Sequence, residues 1–345
     1  MLSSTLCQLP LGLLFTCVLG VDAGSRHLHI RDPNYDVLGG ANFPDPSILE
    51  YQGVSYVFGT VDGAGHDVPI SSNADFSNAS GWSNITDAFP NTDVPAMGSG
   101  GWAAAHTTWA PDVNHLTDYD GSFAMYYAAA LQSNSDIHCI GLARSLTVAG
   151  PYNDSSTGPM ICPEADGGAI DPAGFLDDDN TRYLIYKIDG PSVNGGGYCN
   201  SPEKTSYNTS LMLQQLGNDG YSGIGGPVVL YNNQGESDSY NTEAPSLAKG
   251  GDGTYFLFFS SGCTSANSYT LSYLTSISGV AGPYGERRVL LETGSFGAFG
   301  PGGADLAPAG GKMVYHSLQV SGDISYPRVM DTARVTLCGR NASVS

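Results

Sequence analysis

Asp45-Pro46-Ser47-Ile48, followed ten residues on by Ser55-Tyr56-Val57-Phe58-Gly59-Thr60, decides the fold, because this pairing of an acid-bearing segment with an aromatic-rich strand returns four more times. Trp109-Ala110-Pro111-Asp112-Val113 leads to Phe123-Ala124-Met125-Tyr126-Tyr127, and Ile170-Asp171-Pro172-Ala173 leads to Arg182-Tyr183-Leu184-Ile185-Tyr186. Glu243-Ala244-Pro245-Ser246-Leu247 precedes Thr254-Tyr255-Phe256-Leu257-Phe258-Phe259, and a shorter match, Gly303-Ala304-Asp305-Leu306, precedes Lys312-Met313-Val314-Tyr315-His316. Successive acids stand 67, 59, 72 and 62 positions apart. A unit of that size holds a four-stranded antiparallel sheet and its loops, which is one propeller blade. Turn signals such as Tyr51-Gln52-Gly53 and Asp252-Gly253 separate the strands. The expected fold is all-β, a five-bladed β-propeller with no linker dividing it; a pair of β-sandwiches is the competing architecture. In a propeller the innermost strand of each blade runs along the central channel. An acid at the same place in several blades would therefore turn several carboxylates into one funnel, so the repeat predicts an axial acidic site.

Composition agrees with short strands and tight turns: 345 residues contain 46 Gly, 20 Pro and 20 Tyr, and only 13% are charged. The formal net charge of −20 makes nucleic acid and anionic membranes poor partners, since the long-range field repels both. A neutral sugar meets no such penalty. Residues 1–23 read as a signal peptide, with an apolar core from Leu9 to Val21 and a small-residue site at Val21-Asp22-Ala23, and residues 24–345 as a single catalytic domain. Five Asn-X-Ser/Thr sequons, at Asn78, Asn84, Asn153, Asn208 and Asn341, fit the same secreted, extracellular route. Loss of the leader removes Cys7 and Cys17, so the remaining five cysteines suggest two disulfides and a leftover thiol. Cys139–Cys162 and Cys199–Cys263 are the expected bridges, with Cys338 left over; four cysteines permit three pairings, and spacing does not choose among them.

The segments Phe43-Pro44-Asp45-Pro46-Ser47-Ile48, Trp109-Ala110-Pro111-Asp112-Val113, Ala169-Ile170-Asp171-Pro172, Thr242-Glu243-Ala244-Pro245-Ser246-Leu247 and Gly300-Pro301-Gly302 with Tyr315-His316 together resemble glycoside hydrolase family 43. The resemblance covers nearly all of the chain after the leader and implies a five-bladed propeller and an inverting mechanism. It implies Asp45 as general base, Glu243 as general acid and Asp171 as the carboxylate that tunes and orients the acid. Inversion asks for such a division: one neutral acid protonates the leaving oxygen, one ionised base activates water, and roughly 6.5–9.5 Å between them leaves room for that water. A charge on Asp171 near Glu243 would keep the acid protonated. Trp109, Phe43 and Arg328 are the expected substrate contacts, and His316 the expected contact to an axial calcium ion. Gly303 stands where many relatives carry a second histidine.

Other acids read as structural: Asp112 as a blade-start residue, and Asp177, Asp178 and Asp179 as a solvated hairpin turn. Trp82 reads as core. No Gly-rich phosphate loop calls for a nucleotide or redox cofactor. The expected activity is hydrolysis of α-L-arabinofuranosyl or β-D-xylosyl linkages in plant cell-wall polysaccharides such as arabinan and arabinoxylan, by a monomer. The alternative is a propeller that binds carbohydrate and has lost catalysis.

Overall fold

Strand pairs in the repeat are joined by turns whose backbone suits them. Between Ser47–Tyr51 and Val54–Phe58, Gln52 and Gly53 both take positive φ (51° and 80°), the requirement of a two-residue type I′ hairpin. The computed structural model describes residues 33–90, 101–194, 197–200 and 207–345, with short strand segments at 6–7, 15–16 and 96–97. Apart from that N-terminal strand pair, the expected leader lies outside the described residues.

Five antiparallel sheets follow one another along the chain; four are meanders, and in the second Phe123–Leu131 pairs with Trp109–His115 and also with Ala103–Ala104. Their innermost strands are Ser47–Tyr51, Trp109–His115, Ala169–Leu176, Thr242–Lys249 and Gly302–Leu306, one for each of blades one to five. Each inner strand packs against the next, and the fifth returns to the first. The apolar core divides in the same way. Five clusters occupy the five gaps between neighbouring blades, exemplified by Phe58 with Met125, Ile140 with Leu184, Phe175 with Leu257, Phe258 with Met313, and Val57 with Val314. A ring of five blades is the arrangement that gives every blade two neighbours, and the inner sheet edges it leaves are short and face the axial channel.

The ring is fastened by the start of the described chain. The fifth blade supplies three strands, ending with Arg328–Ala333. Residues 34–43 lie along that last strand: Asn34 and Thr332 exchange backbone hydrogen bonds of 2.8 and 2.9 Å, Val37 N–H donates to Met330 and Phe43 N–H to Arg328. Asp36 N–H adds a bond to the buried Asp331 carboxylate. Both expected disulfides are present, Cys139–Cys162 within blade two and its following loop, and Cys199–Cys263 between blades three and four. Cys338 stands outside both.

Two expectations need correction. The acids are not at one shared place in the blades. The structurally equivalent residues are Asp45, Ala110, Asp171, Ala244 and Gly303, all with positive φ between 41° and 56° at the start of the inner strand. Glu243 lies one residue before this position, while Asp112 and Asp305 lie two after it, which puts the acids on three levels of the channel. Asp177 is also not solvated: it is buried and accepts bonds from Lys249 and Tyr255, whereas Asp178 and Asp179 are exposed. Asp112 is structural, as expected, receiving Gly174 N–H at 2.6 Å from blade three.

Removal of the chain up to Asn42 should therefore destabilise the whole ring. Three backbone hydrogen bonds at about 1 kcal/mol each and the burial of Val37 at about 2 kcal/mol give a loss on the order of 5 kcal/mol, measurable by denaturant unfolding. Asn34→Ala, which keeps the backbone, should change stability by less than about 1 kcal/mol.

Candidate active site

A cavity of about 530 Å³ opens at one end of the axis, and Asp45, Asp171 and Glu243, from blades one, three and four, all line it. Each is placed by the left-handed turn that begins its inner strand. Asp45 and Asp171 are themselves the turn residues, and Glu243 precedes the turn residue Ala244. A non-glycine residue in this conformation costs roughly 1–2 kcal/mol, so the geometry persists only because neighbours hold it.

Asp45 is held from three directions. Its N–H donates to His316 Nδ1 at 3.0 Å, Thr60 Oγ1 donates to its carboxylate at 2.8 Å, and Arg328 Nη1 lies 3.2 Å from Oδ1. Thr264 Oγ1 in turn receives Arg328 Nη1 at 3.0 Å. Burial raises the Asp45 carboxyl, but the Arg328 charge, helped by the Thr60 hydroxyl, outweighs it and holds the group below its ordinary value. This is an ionised carboxylate beside a cation.

Asp171 is the opposite case. Its Oδ2 accepts Ala244 N–H at 2.9 Å, which ties it to the residue after Glu243. Burial first, and then repulsion from Glu243, push Asp171 up to about 7, with Lys187 working against them. Glu243 has cationic and amide donors that Asp171 lacks. Lys187 Nζ lies 3.0 Å from Glu243 Oε2, and Asn241 Nδ2 donates to the same oxygen at 2.7 Å.

Of the expected substrate contacts, Trp109 and Arg328 line the cavity. Trp109 is about one-third exposed, and His138 stacks on its ring with 3.8 Å between centroids. Phe43 does not line it. It is fully buried between blades one and five, against Val57, Met330 and the Cβ-free backbone of Gly59. Its apolar ring belongs to the core, and the adjoining Pro44 and Asp45 reach the axis instead. Trp82 packs on the same cluster, as expected.

The calcium reading of His316 fails on donor chemistry. The imidazole is fully buried, and burial drives it down to about 3, so the ring is neutral and its 3.4 Å approach to Asp45 is no ion pair. Because Nδ1 accepts Asp45 N–H, the ring proton is assigned to Nε2, 3.1 Å from Thr264 Oγ1. Both nitrogens are engaged. Among the described residues no group of three or more His, Cys, Asp or Glu could hold a metal, whereas calcium takes about six to eight oxygen ligands. A side chain at Gly303 would lie 2.5 Å from the imidazole, so the missing second histidine leaves the space that His316 fills.

Sequence reading missed Lys187, His138 and Thr264. Lys187 had a signal: a lone charge in the apolar run Tyr183-Leu184-Ile185-Tyr186-Lys187-Ile188. The other two carried none: His138 reaches the site by stacking on Trp109, and Thr264 by bonding to His316 and Arg328 of blade five.

Three carboxylates converging on one axial cavity are groups of the kind that glycoside hydrolysis uses. The sequence profile of "Glycosyl hydrolases family 43" matches residues 37–337, and the chain belongs to that family. It is 29% identical over 211 residues to an extracellular endo-α-(1→5)-L-arabinanase of Bacillus subtilis, covering 54% of this chain and 41% of that one. It is 28% identical to a β-D-galactofuranosidase of Aspergillus niger over 70% of this chain and 63% of the relative. The chain thus aligns with less than two thirds of either relative. A solved thermostable family-43 glycoside hydrolase superposes with a TM-score of 0.69 at 20% identity, covering 88% of this chain and 93% of the other. No helix among the described residues is long and apolar enough to cross a membrane.

Arg328→Met removes the cation beside Asp45. The carboxyl should then titrate about one unit higher. A carboxylate with a raised pKa needs a higher pH to ionise, so the acid limb of the activity profile should move up by the same amount.

Proposed function

We propose that this protein is a secreted, inverting glycosidase that cleaves α-L-arabinofuranosyl linkages in plant cell-wall polysaccharides. The observation that carries the reading is the convergence of Asp45, Asp171 and Glu243 on one cavity beside Trp109 and Arg328. Relatives supply the sugar. A 1→5 linkage occupies O5, so the ring of an arabinose so linked closes through O4 and is five-membered; the galactofuranosidase also acts on a five-membered ring. Both similarities favour a furanoside over a β-D-xylosyl linkage. Secretion is supported by the two disulfides and by the exposure of all five sequon asparagines.

In this mechanism Asp45 accepts a proton from water as the water oxygen attacks the anomeric carbon. Glu243 delivers its proton to the departing glycosidic oxygen, and the configuration inverts. Arg328 keeps Asp45 ionised, and Thr60 fixes the direction of its carboxylate. Asp171 fixes the backbone that carries Glu243 and shares the charge of the acid side. Trp109 offers an apolar face to one side of a sugar ring. His316 and Thr264 serve the base by holding Asp45 and Arg328.

Asp45→Asn and Glu243→Gln should each lower kcat by a factor of about 10²–10⁴, with thermal stability nearly unchanged. A nitrophenyl arabinofuranoside, whose leaving group needs no proton, should partly restore Glu243→Gln and leave Asp45→Asn inactive. Equal restoration of both overturns the two roles. Proton NMR of the first-formed product should show the inverted anomer. Wild-type protein that binds arabinan and arabinoxylan yet releases no sugar from them or from nitrophenyl pentosides would be the binding propeller instead.

A further inference from the structure

We propose that Lys187 is a positioning residue for the acid: it clamps Glu243 Oε2 so that Oε1 carries the transferable proton, and its charge sets the alkaline limit of activity. The inference rests on the proposed role of Glu243. Lys187 sits in the strand Arg182–Ile188, whose pairing puts it opposite Ile170, the residue before Asp171. Its side chain is 1% exposed, so its ammonium has left water almost entirely. Such a charge persists only when paired. The pairing is with Glu243 Oε2 at 3.0 Å and Asp189 Oδ1 at 3.3 Å.

The geometry at Glu243 is asymmetric. Oε2 receives Lys187 Nζ and Asn241 Nδ2, which fill both of its acceptor directions, while Oε1 takes no hydrogen bond from the described residues. A proton on Glu243 therefore belongs on Oε1. Asn241 is itself fixed, donating also to the Gly262 carbonyl at 2.8 Å. The clamp thus selects one oxygen and leaves the other to meet the leaving group.

Charge has a second consequence. The groups facing the acid pair are Lys187 and Asp189 from blade three, Asp45 from blade one, and the phenols of Tyr198 and Tyr269; Arg328 lies on the Asp45 side. Lys187 is the only cation among them that touches Glu243. It stabilises the ionised acid, so removing it must favour the protonated form. Asp189, held by Ser192 Oγ, draws on the same ammonium and acts in the opposite sense.

The experiment compares pH profiles of kcat/KM and kcat on an aryl arabinofuranoside for wild type, Lys187→Met, Lys187→Arg and Asp189→Asn, with Glu243→Gln alongside. In Lys187→Met the alkaline limb should move up by about one pH unit or more. Its kcat should fall about tenfold or more while KM stays within about twofold, and a better leaving group should shrink the loss. Lys187→Arg should bring the limb back toward wild type. Asp189→Asn should move it down, and this variant decides the matter should Lys187→Met fail to fold. An unmoved alkaline limb in the folded variants, with only a lower melting temperature, overturns the role of Lys187. Full activity of Glu243→Gln overturns the acid assignment beneath it, which is a different result.

Discussion

The site depends on how the protein satisfies the backbone at the start of each inner strand. Asp45, Ala110, Asp171 and Ala244 all adopt positive φ immediately before proline, where both chirality and the following ring disfavour compact conformations. Four of the five turn amides are bonded by a side chain of the preceding blade. Asp45 N–H meets His316 of blade five, Ala110 N–H meets Thr60 of blade one, Ala244 N–H meets Asp171 of blade three, and Gly303 N–H meets Ser260 of blade four. Two of these acceptors, Thr60 and Asp171, also line the cavity. The bonds that close the ring are therefore the bonds that aim its chemistry.

A second level supports the first. Asp305 accepts Ile48 N–H of blade one at 2.8 Å and Ser246 Oγ of blade four at 2.7 Å, and Asp112 ties blade two to blade three. Burial pushes Asp305 up to about 6 and, with the nearness of Asp305, Asp112 up to about 8. These two acids cross-link blades beneath the cavity. Position along the channel separates the two sets: two residues of sequence divide a ligand-facing acid from a structural strut.

That offset explains what could be read from the sequence and what could not. Five aromatic strands at blade spacing sufficed for the propeller, because strand alternation is local. The register of the acids was not legible from the acids themselves, which invite alignment with one another. Alignment on Pro46, Pro111, Pro172 and Pro245 gives the true register, and it separates Asp112 from Asp45 at once. Asp45, Asp171 and Glu243 were singled out through their motifs and share one cavity, but Phe43 was misplaced by the same motif, since its neighbour and not its own ring faces the axis. Lys187 stayed hidden for a physical reason: the value of a buried cation lies in which anions surround it, and its partners come from two blades.

The cations divide the acid cluster into unequal halves. Among 33 acidic and 13 basic residues, Arg328 and Lys187 both reach this cavity. Arg328, one-quarter exposed, faces a single carboxylate, and Asp45 falls below its ordinary value. Lys187 faces Glu243 and Asp189 directly, with Asp171 nearby, and one ammonium cannot neutralise three carboxyls. A proton must therefore remain on the acid side at neutral pH. The bond from Ala244 N–H to Asp171 Oδ2 ties the two carboxyls of that side together. A base kept ionised on one wall and a proton retained on the opposite wall is the asymmetry that inverting hydrolysis requires, and it comes from two cations unequally shared.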